Sequence, residues 1–178
     1  SADDPALRLG GSLRARAEAR AALRTTTSRL VSSLLVSSPV TVTYLVTGDS
    51  DPLSEVVAWA GSDFYTETDE GFVLQTGVQL EILTGLDPND SAADGFIHVN
   101  FGYPWAFGDP VAADQSDFQH TVLHELVHTL GFVSYVDAPG SNTGKIWTPY
   151  DRYLMTADAT PVIGADYAWI PAYDPTLT

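Results

Sequence analysis

The chain has 178 residues, a length that suits one domain with a single hydrophobic core. Its composition, 44% hydrophobic and 17% charged, is that of a globular chain and not of a disordered one. A net charge of −15 with one lysine, Lys145, repels nucleic acid and anionic membranes, so no nucleic-acid partner is expected. The absence of cysteine excludes disulfides, thiolate metal sites and cysteine nucleophiles. No apolar run reaches the ~18 residues of a membrane span, since the longest, from Leu30 to Val46, is interrupted by paired serines and Pro39.

Residues 1–11 have no apolar segment of the kind a signal peptide carries and read as a loose leader. Residues 12–36 are rich in Ala, Leu and Arg, with Leu23, Leu30, Val31 and Leu34 at helical spacing. They predict a long N-terminal helix, with a break at the Thr25-Thr26-Thr27-Ser28 run. Pro39 ends it, and residues 40–46 predict a strand, followed by a turn at residues 48–52. Residues 53–75 predict a short helix or strand and a loop, and residues 74–86 a second helix stopped by Gly85. From Gly95 to Phe101 the pattern alternates: Ile97, Val99 and Phe101 share one side, and Phe96, His98 and Asn100 the other. An aromatic loop broken by Gly and Pro follows up to Ala113.

The next helix has a defined start and stop. Ser116 and Gln119 form a capping-box pair, Asp117 suits the positive helix end, and Gly131 suits a left-handed terminus. At about 100° per residue, Phe118, Val122, Leu123, Leu126, Val127 and Leu130 occupy one half of the wheel. His120, His124 and His128 form a column beside that half, and Glu125 lies beyond His128. Histidines at i and i+4 stand one turn apart, with Cβ atoms about 5–6 Å apart, and their ring nitrogens can converge on one zinc ion at ~2.0–2.1 Å. Two neutral imidazoles leave that ion its full charge, which can bring the pKa of water down to about 7. Glu125 is then placed to take the proton and pass it on, a metal-plus-general-base route to hydrolysis. The same four-residue spacing also arises by chance on exposed helix faces. Here the Glu in the required slot, the cap and the glycine three residues after His128 argue for the zinc site. A straight helix does not wrap three turns around one ion, so His120 is expected outside the ligand set.

His124-Glu125-Leu126-Val127-His128-Thr129-Leu130-Gly131 resembles the HExxHxxG start of the metzincin metalloproteases. Residues 93–101 resemble the metzincin edge strand, which pairs with extended substrate. The likeness, extending to Tyr150-Asp151-Arg152-Tyr153-Leu154, is closest to bacterial secreted leishmanolysin-like enzymes. It implies an α+β, zincin-like catalytic domain over residues 1–178: a twisted mixed sheet, the long helix, and the helix bearing HExxH. It also implies zinc, a protein or peptide substrate, and secretion to the extracellular medium.

One departure is marked: the slot of the third metzincin histidine holds Ser134, and no histidine follows His128. Asp137 or Asp151 then remain as third ligands within this sequence. Leishmanolysin-like enzymes place that histidine beyond a long insertion, which leads us to expect it outside the chain, on a C-terminal fragment of the same precursor. The alternative is a binding or structural module derived from such an enzyme, with catalysis lost.

Three further groupings stand out. Asp87, Asn89, Asp90 and Asp94 are hard oxygen donors close enough for calcium, although the spacing is not that of an EF-hand and a solvated acidic loop is the plainer reading. Tyr103, Trp105 and Phe107 suit either a substrate cleft or a packed loop. Tyr150 and Tyr153 suit either oxyanion donors or packing, and Met155 reads as a core residue.

Overall fold

The computed structural model describes residues 7–8, 13–33, 40–65, 70–73, 75–138 and 140–171. The chain is an α+β fold, with three α-helices and a mixed sheet among the described residues, and it divides into two compact units. The first comprises residues 1–63 and 77–130, the second residues 64–76 and 131–178.

The first unit contains β1 (Leu7–Arg8), α1 (Leu13–Ser33), β2 (Tyr44–Asp49), β3 (Ala58–Gly61), α2 (Gly77–Thr84), β5 (Gly95–Asn100), β6 (Trp105–Ala106), β7 (Ser116–Asp117) and α3 (Phe118–Thr129). The second holds β4 (Gly71–Phe72), β8 (Ile146–Trp147) and a 3-10 turn at Asp151–Tyr153. Leu7 and Arg8, read as part of a leader, form β1. The rest of residues 1–11 lies outside the described residues.

The main sheet has the order β1-β2-β5-β3, with β1, β2 and β5 mutually parallel and β3 antiparallel on β5. The alternation in β5 holds as far as Val99: Ile97 and Val99 are buried, Ile97 level with Val46 of β2, but Asn100, expected on the other face, is buried as well. Val46, Ile97 and Val99 pack with Ala19, Ala22 and Leu23 of α1, Trp105, and Phe118, Val122 and Leu126 of α3. Phe118 anchors this core, its ring 4.8 Å from Phe107 and 5.3 Å from Trp105. Burying such a side chain contributes about 1.5–3 kcal/mol. Tyr103 and Phe107, half-buried, pack on the same cluster, so the aromatic loop serves the core.

Three sequence expectations are corrected. First, β5 is not an edge strand: it lies between β2 and β3, and β3 is the outermost described strand on that side. Alternation reports which face is buried but not which neighbours a strand acquires. Second, α1 runs unbroken through Thr25 and its neighbours, where Thr25 Oγ1 donates to the carbonyl of Ala21 at 3.0 Å. That i−4 bond lets a threonine stay within a helix. Third, β2 begins at Tyr44 and runs through Gly48, which was expected to turn the chain. A Cβ on Gly48 would stand 2.7 Å from the ring of Phe101, so the glycine answers a close approach and not a turn.

The second unit has its own cluster of Trp147, Val162, Ile163 and Trp169, with Phe72, Val136 and Leu154 packed against it. Trp147 Nε1 donates to the carbonyl of Tyr167 at 2.7 Å. Isolated bridges Met155↔Pro161 and Ile163↔Trp169 order a segment whose sequence shows no regular period. Met155, one partner of the bridge to Pro161, is 52% exposed and is not a core residue.

Candidate metal centre

The helix that carries the histidines is fixed at both ends by its own sequence. Asp117, rather than Ser116, is the N-cap, and its Oδ1 accepts the amide of His120 at 3.1 Å. Ser116 instead pairs with Trp105 in the short β6–β7 ladder, and Gln119 donates to the carbonyl of Phe107 at 3.3 Å. At the other end Leu130 N donates to Val127 O at 3.1 Å, and Gly131 takes the left-handed conformation at φ +81°.

The buried face of α3 is Phe118, Val122, Glu125, Leu126 and Thr129. It is turned by roughly 70° from the arc that hydrophobicity alone outlines on the wheel. Leu123 is consequently 40% exposed, and Glu125, expected beyond the histidine column, falls within the buried stripe at 8% exposure. The main packing partners of α3 are α1 and β3, with β5 also in contact.

His124 and His128 direct their Nε2 atoms at one another, 3.1 Å apart, with ring planes at 88°. Two nitrogens at that separation, each ~2.05 Å from one zinc ion, would subtend an angle of about 98°, within reach of tetrahedral coordination. The donor pair therefore fits zinc. Among the described residues no third His, Cys, Asp or Glu joins it in a three-residue metal cluster. His120 is exposed and lines a separate cavity of about 240 Å³ with Thr26, Asp117, Gln119 and Leu123. The remaining histidine, His98, bonds Thr47 Oγ1 through Nδ1 at 2.9 Å and stacks on Trp59 at 5.5 Å.

The two aspartates considered as third ligands have different surroundings. Asp151 is 1% exposed and its carboxylate is occupied: Oδ1 accepts from Ser134 Oγ at 2.6 Å, and Oδ2 from the amides of Tyr135 and Thr148 at 3.0 and 2.9 Å. Ser134, in the slot of the metzincin histidine, thus serves to hold Asp151. Asp137 is exposed and organises its own loop, with Oδ1 accepting the amide of Ala138 at 2.7 Å. Tyr150 and Tyr153 are 44% and 75% exposed.

One acidic grouping escaped the sequence reading. Glu81 of α2 is buried against Asp94, and its pKa is pushed up to about 7, by burial first and then by the hydrogen bond and charge of Asp94 and the charge of Asp87. The available signal was its phase: Glu81 lies three residues after Val78, on the same helical face. Asp87 and Asp90, counted with this cluster from the sequence, are exposed.

No protein-family model matches the chain, and neither does any curated protein or solved structure. Among the described residues, no helix is long and apolar enough to cross a membrane.

Proposed function

We propose that the chain is the active-site part of a zinc-dependent endopeptidase of the metzincin kind, acting on protein or peptide substrates outside the cell. The observation that carries this reading is the convergence of His124 and His128 Nε2 atoms on a shared point, with Glu125 between them in sequence. Bound zinc would supply a Lewis acid that polarises the scissile carbonyl and acidifies water. His124 and His128 would hold the ion through their Nε2 atoms, and ligation by two imidazoles would leave its charge uncompensated. Glu125, buried at the edge of the packed face of α3, would accept the proton from water and deliver it to the leaving amine. In such a reading an extended substrate adds to the outer edge of β3, which packs against α3, rather than to β5.

Asp151 is assigned a structural role, because its lone pairs already serve three donors. The third zinc ligand is accordingly assigned to a histidine of another segment, such as a C-terminal fragment of the same precursor.

The short Nε2–Nε2 contact also suits a second reading, a binding module whose paired histidines share a hydrogen bond. An assay on casein and fluorogenic peptides, before and after chelation, separates the two. Zinc-reversible cleavage is expected of the peptidase. Bound zinc without cleavage of any peptide would leave the binding module standing, and cleavage confined to ester substrates would indicate a different hydrolase.

A further inference from the structure

Away from the histidine pair, four side-chain oxygens among the described residues are buried without a hydrogen-bond partner: Thr26 Oγ1 on α1, and Glu81 Oε2, Asn89 Oδ1 and Asp94 Oδ1. Orphaned oxygens of this kind are rare, and each calls for a donor, a proton or an ion. Glu81 and Asp94 are 6% and 5% exposed, and their carboxyl groups lie within hydrogen-bonding reach of each other. Two ionised carboxylates carry no donor with which to satisfy one another.

Asp94 and Asn89 are tied down by their other polar atoms. Asp94 Oδ2 accepts the amide of Thr43 at 2.6 Å, and the Asp94 amide donates back to Thr43 O at 2.8 Å. Ser62 Oγ donates to the Asp94 carbonyl at 2.6 Å. Asn89 Nδ2 donates to the Ala93 carbonyl at 2.9 Å, which fixes its amide oxygen on the turn leading into Asp94. The free oxygens of Asp94 and Asn89 are therefore positioned by bonds that leave their lone pairs unused, and Glu81 reaches the same carboxylate from α2.

We propose that Glu81, Asn89 and Asp94 form a calcium-type cation site joining α2 to the turn before β5. The donors are all oxygen, two of them carboxylates, which selects a hard cation and disfavours zinc. Backbone carbonyls and water complete the six to eight positions calcium takes. A chain of net charge −15 favours such an ion further.

The site is linked to α3. Tyr44 lies over Gly95, where a Cβ would come within 2.8 Å of its ring, and its hydroxyl bonds Thr129 Oγ1 at 3.0 Å. Thr129 Oγ1 itself donates to Leu126 O at 2.7 Å, so Tyr44 is the donor to Thr129. Filling the cation site thus stiffens the strand pair that holds Tyr44 against the residue following His128.

The test is calcium titration of the chelator-stripped chain by calorimetry, with thermal unfolding in parallel. The expected result is saturable binding at one site, a Tm that rises with calcium as binding to the folded state requires, and a weaker response to magnesium. Glu81→Gln should weaken calcium at least about tenfold, as loss of a carboxylate ligand implies. Asp94→Asn keeps an acceptor for the Thr43 amide and should weaken it similarly. A His124→Ala/His128→Ala variant should bind calcium like the parent, which separates this site from the zinc proposal. Absence of any calcium response, with Glu81→Gln raising Tm on its own, would show that the pair shares a proton and overturn the proposal. Undiminished calcium binding by both acidic-site variants would overturn it equally.

Discussion

Glu125→Gln should abolish peptide hydrolysis while leaving zinc binding intact. Glutamine matches glutamate in shape, so the 8%-exposed position on the packed face of α3 is kept. It cannot accept a proton, and loss of a general base lowers kcat by about 10²–10⁴-fold. His124 and His128 are untouched, so metal content should equal that of the parent. Steady-state cleavage of a fluorogenic peptide, alongside metal analysis of the same samples, checks both halves. Unchanged kcat would remove Glu125 from the chemistry. Loss of zinc with kcat would show that the side chain acts on the ion's site and not on a proton.

Asp151→Ala should destabilise the second unit by about 3–5 kcal/mol, the scale of removing one member of a buried charged network. Ser134 Oγ and the amides of Tyr135 and Thr148 would each lose their acceptor. Those bonds gather residues 134–135 and 148 around one carboxylate, close in sequence to the Trp147 core. Urea unfolding followed by tryptophan fluorescence reports on it, because Trp147 and Trp169 both belong to that cluster. Zinc affinity should not change. If it fell sharply while stability stayed within a few tenths of a kcal/mol, Asp151 would be the missing ligand and its structural role would fail.

What the sequence revealed depended on how local the signal was. The helix of the histidines was legible because its cap, its period and its terminal glycine all lie within sixteen residues, Ser116 to Gly131. The cap falls one residue later than the Ser/Gln pair suggests, since Ser116 is taken by the β6–β7 ladder. The facing of Glu125 was not legible. Hydrophobicity counted Leu123 as inward and Glu125 as outward, whereas the arc covered by α1 and the sheet takes in Glu125 and Thr129 and leaves Leu123 exposed. The strand at residues 95–100 was evident from alternation, but its interior place required pairing with residues 44–49 and 58–61, which no local pattern encodes. The same holds for Glu81 with Asp94 and for Asp151 with Ser134. Each is a polar group whose partner is distant in sequence, and burial of such a group shows only when both ends are in place.

The most direct measurement is the X-ray absorption spectrum of the zinc-loaded chain at the zinc edge, compared with that of the His124→Ala/His128→Ala variant. The expected spectrum contains two imidazole ligands per zinc at ~2.0–2.1 Å with lighter O/N donors beside them, and the variant should lose both the imidazole signal and stoichiometric zinc. A spectrum without imidazole scattering, or one unchanged in the variant, would contradict a zinc centre on this helix.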